Sequence, residues 1–295
     1  MMGINEKVLV FLLALIIDLF FGEFPSVIHP VVYMGRVGKF FDNIYKSRSS
    51  KAVSFVLGMI SLIVELIIWG GLGYFLQSFS KRFTITMIFE VCILKSTFSI
   101  RSLYEHVKRC YTNDVELLRK NVSMIVSRDT SKLDKSHLYS AAVESLAENI
   151  SDSITGPLFY YVLFGLPGAV VYRVVNTYDA LFGYRNARYE WLGKFPARFD
   201  DLLNLVPSRL TALFISFFNF KRSWEYIKKY GGIKINATYP MSAFAGVLGL
   251  GFEKIGYYKF DGKLPDMEDL GKALRLYKKV VFLIILVVVF SCMVV

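Results

Sequence analysis

The sequence predicts an all-α integral membrane protein: a multi-pass helical bundle with re-entrant or buried segments broken by glycine and proline, and with helical loops on the cytoplasmic side. Three observations predict this class. Of the 295 residues, 54% are hydrophobic and only 20% are charged. The mean hydropathy is +0.44. Several apolar runs approach the roughly 20 residues that a helix needs to cross a bilayer. We expect a single membrane domain over residues 1–295.

The distribution of charge agrees with a membrane location. Lys and Arg number 35 against 24 Asp and Glu, so the formal net charge is +11. The basic residues collect between the longest apolar runs, which is typical of loops that flank membrane spans and favours a lipid bilayer over a nucleic acid as partner. Cys92, Cys110 and Cys292 lie far apart, so neither a disulfide framework nor a zinc knuckle is indicated.

Four segments are predicted to span the membrane because they are predominantly apolar. They are 8–24, 52–79, 83–98 and 280–295. The first follows a lone Lys7 and lacks a small-residue cleavage site, so it is interpreted as an uncleaved anchor and not as a signal peptide.

Three further apolar segments are ambiguous because glycine, proline or arginine interrupts each of them. They are 154–175, 203–220 and 237–252. The glycines and prolines of segment 154–175 fit a re-entrant or buried segment better than a lipid-facing helix. For the other two segments, a membrane span and a buried helical core are both open.

Polar regions separate these segments and carry the candidate functional residues. They are 25–51, 99–153 and 176–209. Lysine and arginine clusters in the first two favour the cytoplasmic side of the cell membrane. An even number of crossings between them satisfies both assignments and puts the amino terminus outside.

A carboxylate stripe is the first candidate site. A helix is predicted up to about Asn149, with Asp134 or Ser136 as its N-cap. At about 100° per residue, one side of this helix is polar and the other apolar. The polar side carries His137, Ser140, Glu144, Glu148 and Asp152.

Carboxylates four residues apart repel one another on a helix, so Glu144, Glu148 and Asp152 are predicted to attract a cation. Mg²⁺ carrying a nucleotide phosphate is the natural candidate. The alternative is that the stripe is the solvated face of an amphipathic surface helix.

The second candidate site lies between Asn176 and Arg209. Arginine binds phosphate or carboxylate groups bidentately, and four arginines of this region are candidates for that role. They are Arg185, Arg188, Arg198 and Arg209. Asp179, Asp200 and Asp201 are candidates for binding a metal or an amine. The alternative is an ordinary loop with internal ion pairs, but Arg209 within an apolar segment needs a partner.

Near the amino end, Asp18 lies late in an apolar run and His29 follows it. An intramembrane carboxylate is typical of a functional site. Asp18 also fits snorkelling near the interface or capping of the next turn, and a lone histidine is more often structural. Glu65 lies within the longest apolar run, where pairing with another helix is expected.

Common nucleotide and hydrolase motifs are absent from the sequence. We find no phosphate-binding P-loop, no Gly-x-Gly-x-x-Gly, no His-Glu-x-x-His and no Gly-x-Ser-x-Gly. A nucleotide, if bound, is therefore bound in an uncommon way.

Taken in order, these motifs resemble those of the adenosylcobinamide-phosphate synthases of cobalamin biosynthesis, the CobD/CbiB type, from about residue 8 to 250. The resemblance rests on many short motifs along the chain. They are Asp18 with Gly22, His29-Pro30, Gly35-Arg36, Arg128-Asp129-Thr130, Glu144 to Asn149 with Ser151-Asp152, Pro157-Leu158-Phe159, Asn176-Thr177 with Asp179, Gly183 to Asn186 with Arg188-Tyr189, and Ala197 to Ala212.

The resemblance implies a carbon–nitrogen ligase. Such an enzyme forms an amide between a carboxylate of adenosylcobyric acid and aminopropanol or its phosphate, driven by ATP with Mg²⁺. The corrinoid is then a substrate and not a cofactor, and other membrane enzymes of cobalamin biosynthesis are expected partners. If the precursors are cytosolic, the polar regions before and after segment 154–175 must both face the cytoplasm. The segment then cannot make a single crossing of the bilayer.

Within that reaction, Glu144 and Glu148 are expected to be catalytic and to hold Mg²⁺ and nucleotide phosphates together with Asp152, while His29 or Asp179 takes the amine proton. The residues expected to bind substrate or phosphate are Arg36, Arg128, Asn176, Arg185, Asn186, Arg188, Arg198, Asp200, Asp201, Asn204 and Arg209.

Two other classes stay open, namely a membrane transporter of corrinoids and a non-catalytic membrane sensor. A transporter should distribute its charges along several crossing helices. A sensor has no need of the carboxylate and arginine clusters, and this chain keeps them.

Overall fold

The computed structural model describes residues 6–44, 50–80, 82–184 and 186–294. These residues are predominantly helical, as the sequence predicts. The helices are α1 (Glu6–Phe21), α2 (Pro30–Met34), α3 (Arg36–Ile44), α4 (Lys51–Phe79), α5 (Thr84–Thr97), α6 (Arg101–Lys108), α7 (Val115–Ser123), α8 (Lys135–Ile150), α9 (Gly156–Phe182), α10 (Lys194–Leu203), α11 (Leu205–Ser216), α12 (Phe220–Tyr230), α13 (Thr238–Leu248) and α14 (Met267–Val294). A π-helical turn, Ser151–Thr155, joins α8 to α9, and an antiparallel pair, β1 (Glu253–Lys254) and β2 (Tyr258–Lys259), precedes α14.

Three helical stretches of the described chain are long and apolar enough to cross a membrane: Lys51–Phe79, Lys135–Phe182 and Met267–Val294. The chain therefore has the helices of a membrane protein. The first stretch, α4, coincides with the predicted span 52–79, and α14 starts well before the predicted span 280–295, whose last residue lies outside the described residues.

Two of the predicted spans form shorter helices. α1 has 16 residues and α5 has 14, fewer than the roughly 20 that cross a bilayer upright. Their crossing stays a prediction. Within segments 203–220 and 237–252, α11 and α13 have 12 and 11 residues, and each is too short to cross alone. α13 is buried along most of its length, which fits the buried helical core.

Segment 154–175 is not one straight rod. At Gly165 the backbone leaves helical geometry, with φ 69° and ψ −154°. Tyr160 before the break stacks on Tyr172 after it, with ring centroids 5.4 Å apart. Twelve residues of uninterrupted helix would separate them by about 18 Å. α9 therefore folds back on itself as two arms.

Two side chains satisfy backbone groups that this reversal leaves unpaired. Lys7 Nζ donates to the carbonyl of Val162 at 2.6 Å. Gln77 Oε1 accepts from the backbone N–H of Leu166 at 2.7 Å. A Cβ atom at position 165 would lie 2.2 Å from that same oxygen, so the turn requires glycine on account of both its positive φ and the close approach of Gln77.

The chain divides into two compact units of interleaved segments. The first is built from the described residues of Met1–Ser99, Gly156–Asn204 and Val288–Val295, and the second from Ile100–Thr155 and Leu205–Val287. In the first unit, α4 packs against α9 and α1 packs against α5. In the second, α8 lies among α6, α7 and α13. A single domain over the whole chain stays a prediction.

A buried ion pair joins α1 to α5. Lys95 Nζ lies 3.2 Å from Asp18 Oδ1, and neither side chain is exposed. The ammonium group also lies 5.2 Å from the centre of the Phe24 ring. Asp18 therefore neither snorkels nor reaches the surface.

Glu65 is also fully buried and accepts a hydrogen bond from the backbone N–H of Val37 at 3.2 Å. Its partner on α3 is therefore a main-chain group.

Replacing Lys95 with methionine is expected to destabilise the protein by about 3–5 kcal/mol, because Asp18 then becomes an uncompensated buried charge. The double variant Lys95→Met with Asp18→Asn should recover most of this loss. Thermal unfolding in detergent measures both variants, and equal destabilisation by the single and the double change would contradict the pairing.

Gly58→Ala is expected to cost about 1–3 kcal/mol through overpacking. A Cβ atom there would lie 1.9 Å from the carbonyl oxygen of Leu192, so α4 would have to move away from that segment. Gly71→Ala in the same helix is the matched control, because nothing lies within 4 Å of its Cβ position. Denaturation in detergent should leave the control at or slightly above wild-type stability, and equal losses in both variants would refute the packing argument.

Candidate functional site

The carboxylate helix lies inside the second unit and not on its surface. The Asp134 side chain caps α8 by accepting from the backbone N–H of His137 at 2.9 Å, as predicted. Ser140 is fully buried and Glu144 is only 4% exposed. The interpretation of this stripe as a solvated face is therefore wrong at its centre.

Three donors surround the Glu144 carboxylate. Arg128 Nη2 lies 3.3 Å from Oε2. The Tyr258 hydroxyl donates to Oε2, and the Ser140 hydroxyl donates to Oε1, each at 2.6 Å. Burial and the adjacent Glu144 charge raise the pKa of Tyr258, so the phenol stays protonated and acts as a donor. The positive charge of Arg128 thus balances the negative charge of Glu144, and the ion pair holds the Arg128 side chain in place.

Arg128 belongs to a loop that is tied to α7. Arg119 donates from Nη1 to the carbonyl of Leu133 at 2.9 Å and also to that of Thr130. The Asp129 side chain accepts from the backbone N–H of Ser131 at 2.9 Å, which closes a local turn. The loop therefore presents Arg128 in a defined position.

A cavity of about 190 Å³ opens beside this pair. Its charged and phenolic lining consists of Arg128, Glu144, Glu148, Lys234, Lys254 and Tyr258. Burial, followed by the positive charges of Lys234 and Arg128, lowers the pKa of Lys254. Because like charges that face one cavity repel, an anion bound among these three cations would relieve the repulsion.

The predicted site of three carboxylates is not formed. Among the described residues, no group of three or more His, Cys, Asp or Glu side chains is placed to hold a metal ion. Glu144 is engaged with Arg128 and Tyr258. Asp152 lies in the π-helical turn, where the 3.6-residue period that predicted the stripe no longer applies. Of the other two carboxylates of the stripe, Glu148 lines the same cavity as Glu144 and Asp152 does not.

In the first unit, three predicted residues form one buried network. Asn176 Nδ2 donates to Asp200 Oδ1 at 3.4 Å, and Asn204 Nδ2 donates to Oδ2 at 3.0 Å. The Tyr172 hydroxyl in turn donates to Asn204 Oδ1 at 2.7 Å. Burial raises the pKa of Asp200 to about 6, and the nearby Asp201 charge adds to this effect.

A second cavity, of about 410 Å³, lies in the same unit. It brings together Asp179, Arg198 and Asp201, all predicted, with Glu190 and Lys194. Arg198 Nη1 lies 3.2 Å from Asp201 Oδ2. The cavity thus offers both carboxylates and cations, a combination that suits a ligand carrying both signs of charge.

Other predicted residues are engaged within the protein. Arg188 binds Asp42 through Nε at 3.1 Å and Nη2 at 2.8 Å. The Asn186 side chain accepts the backbone N–H of Arg188 at 3.1 Å and that of Tyr189 at 2.9 Å. This loop is therefore an internally bonded structure. Arg185 lies outside the described residues.

Arg36 and Arg209 both stack on tyrosine rings. The Arg36 guanidinium lies 4.1 Å from the centre of the Tyr33 ring. Arg209 lies 4.0 Å from that of Tyr239 and donates to Asn236 Oδ1 at 2.7 Å. The partner that Arg209 needs within its apolar segment is thus internal, and a ligand role for either arginine stays a prediction.

His29 caps α2. Its Nδ1 accepts from the backbone N–H of Val31 at 3.2 Å, so the neutral ring carries its proton on Nε2. Burial lowers the pKa of His29, which keeps the ring neutral near pH 7. With Nδ1 already engaged, Nε2 of this neutral ring is placed to donate a hydrogen bond. The role of His29 as a base stays a prediction.

Several residues at these sites escaped sequence reasoning. Lys95 had a signal, since it is one of two charged residues, with Glu90, in a predicted span. Lys234, Lys254 and Tyr258 had none, because a short hairpin brings the last two to α8 from more than 100 positions away.

The pKa of Asp200 sets an expected pH dependence. Because the folded value of about 6 exceeds the ordinary 3.8, the native state binds this proton more tightly, and stability is lost as the pH rises through that window. Asp200→Asn removes the titration, so the variant should gain stability relative to wild type between about pH 4 and about pH 7.

Thermal unfolding in detergent at both pH values measures this difference. Glu225→Gln, at an exposed position, is the control and should follow wild type. A stability difference between Asp200→Asn and wild type that does not change with pH would contradict the assignment.

Comparison with known proteins identifies the family of the chain. The profile described as CobD/Cbib protein matches residues 11–282. A protein of Pyrococcus furiosus named "Probable cobalamin biosynthesis protein CobD" is 50% identical over 94% of this chain and 95% of its own. One of the same name from Methanocaldococcus jannaschii is 40% identical over 94% and 96%. "Cobalamin biosynthesis protein CobD" of Dehalococcoides mccartyi is 39% identical over 86% of both chains. No solved structure matches. The chain belongs to the CobD/CbiB family.

Proposed function

We propose that the protein acts in cobalamin biosynthesis as an adenosylcobinamide-phosphate synthase. It joins a carboxylate of adenosylcobyric acid to the amine of aminopropanol or its phosphate, with ATP as the energy source. The observation that carries this proposal is the cavity where Arg128, Lys234 and Lys254 converge beside Glu144 and Glu148.

This cavity suits the phosphates of ATP. Three cations match the multiple negative charges of a phosphate chain, and hydrogen bonds between charged partners are about twice as strong as neutral ones. Magnesium is usually held by one or two carboxylates together with the phosphates. Since Glu144 is taken up by Arg128, Glu148 is the carboxylate available for that ion. Arg128 and the lysines then neutralise charge that develops on the transferred phosphoryl group.

The ligation proceeds in two balanced steps. An oxygen of the corrinoid carboxylate attacks the γ-phosphorus of ATP, and ADP leaves. The neutral amine then attacks the acyl carbon, phosphate leaves, and the amine proton passes to a base. Asp179 is the proposed base, because Nδ1 of His29 is engaged with Val31.

The cavity around Asp179 also suits the amine substrate. Its carboxylates complement an ammonium group, and Lys194 and Arg198 complement a phosphate. A molecule that carries both groups, such as aminopropanol phosphate, matches this pairing better than the unphosphorylated alcohol. We accordingly propose the phosphorylated acceptor, and cytoplasmic placement of both cavities where ATP is available.

The experiment is ligation by the purified protein in detergent. It is given adenosylcobyric acid, aminopropanol phosphate, ATP and Mg²⁺, and mass spectrometry measures the amide product. We expect product only when ATP is present. Lys254→Met and Glu148→Gln should each lower turnover by about tenfold or more, the loss expected for a hydrogen bond to a charged group.

Lys120→Met is the matched control, since Lys120 is exposed on α7 and does not line the cavity. Folded Lys254 and Glu148 variants that retain wild-type turnover would exclude the cavity as the ATP site. A corrinoid that binds without being converted would instead favour the transporter.

A further inference from the structure

One cavity of the described chain is not explained by the ligase reaction. It lies in the first unit, has a volume of about 670 Å³, and is lined in part by Glu6, Lys7, Tyr74, Gln77, Glu90 and Phe164. Glu6 lies at the opposite end of α1 from Asp18, about 18 Å away along the helix. This cavity is therefore separate from the Asp18–Lys95 pair, and it shares no lining residue with the Asp179 cavity.

Glu90 is the unusual residue of this cavity. The residue is 4% exposed, and its Oε2 has no hydrogen-bond partner among the residues that the structure describes. Ser80 interacts with the carboxylate, and the negative charge of Glu6 acts on it. A buried carboxylate oxygen without a donor is costly. Because Glu90 lines the cavity, a donor bound there by its carboxylate would lower this cost.

The lining residues of the cavity indicate which kind of hydrogen-bond donor it would bind. Two carboxylates face one lysine, and Lys7 donates to the Val162 carbonyl. The remaining charge favours a cation. A volume of about 670 Å³ is that of a site for an organic molecule and not for a bare ion. Tyr74 and Phe164 add aromatic faces, which attract ammonium groups.

We propose that this cavity binds a primary ammonium group, with the Glu90 carboxylate as its acceptor and the rings of Tyr74 and Phe164 beside it. Two sources carry this chemistry: the headgroup of an ethanolamine lipid, and a soluble primary amine. Tyr74 and Phe164 are 69% and 62% exposed, as aromatic residues at the level of lipid headgroups often are. The proposal is independent of the ligase reaction.

The experiment compares the two sources on the purified full chain in detergent. Native mass spectrometry measures retention of phosphatidylethanolamine against phosphatidylglycerol with the same acyl chains. Calorimetry measures binding of propylamine. We expect wild type to bind one of the two ammonium probes. Glu90→Gln should weaken that binding by about tenfold or more, because the charged acceptor is lost.

Glu90→Gln preserves the side-chain shape and removes a buried charge, so it should fold at least as stably as wild type, which unfolding in detergent checks. Tyr74→Ala is the second variant and should also weaken binding. Glu116→Gln, at a side chain that is 86% exposed on α7, is the matched control and should bind as wild type does.

The outcomes separate the sources. Retention of phosphatidylethanolamine alone assigns the lipid headgroup, and binding of propylamine alone assigns a soluble amine. Failure of wild type to bind either probe, or equal binding by Glu90→Gln, overturns the proposal. Ligase activity has no part in these readouts, so their failure leaves the proposed function untouched.

Discussion

A charge buried among apolar helices is costly unless it is paired, and three such pairings organise the first unit. Lys95 and Asp18 are both fully buried and 3.2 Å apart, so α1 and α5 cannot slide past each other without exposing two uncompensated charges. Asp200 follows the same rule with amide donors from Asn176 and Asn204. Glu65 does so with the main chain of α3. These polar contacts specify which apolar helices meet, a choice that apolar surfaces alone define poorly.

The same requirement shapes the second unit and prepares its chemistry. Glu144 takes Arg128, Ser140 and Tyr258 as partners, and this anchored group forms one wall of a cavity. Lys234 and Lys254 complete the cavity, and besides Glu144 its lining contains one further carboxylate, Glu148. The cavity thus has more cationic than anionic side chains in its lining, which suits the proposed binding of a phosphate chain. Preorganised charge of this kind lowers the cost of stabilising a transition state, because the groups need not reorient during the reaction.

Sequence reasoning was most accurate where a property is local. The N-cap at Asp134, the helical nature of the apolar runs and the interruption of segment 154–175 all follow from neighbouring residues. It was wrong about the carboxylate stripe for two reasons. The solvated alternative fails because α8 is covered by other helices. The three carboxylates do not form one group among the described residues, because the π-helical turn changes the period before Asp152, and magnesium binding by Glu148 stays a proposal. Neither the packing of other helices against α8 nor the π-helical turn can be predicted from the spacing of the acidic residues.

By itself, the sequence determined the helical class, the apolar segments and the family, because composition, period and ordered motifs suffice for these. Only the tertiary structure decided which side chains meet. Lys95 pairs with an aspartate 77 positions away, and Tyr258 reaches Glu144 across 114 positions. Arg188 binds Asp42 across 146 positions, and its predicted role in substrate binding stays a prediction. Such pairings depend on how helices pack, and packing is set by the burial of many side chains at once, which no local pattern encodes.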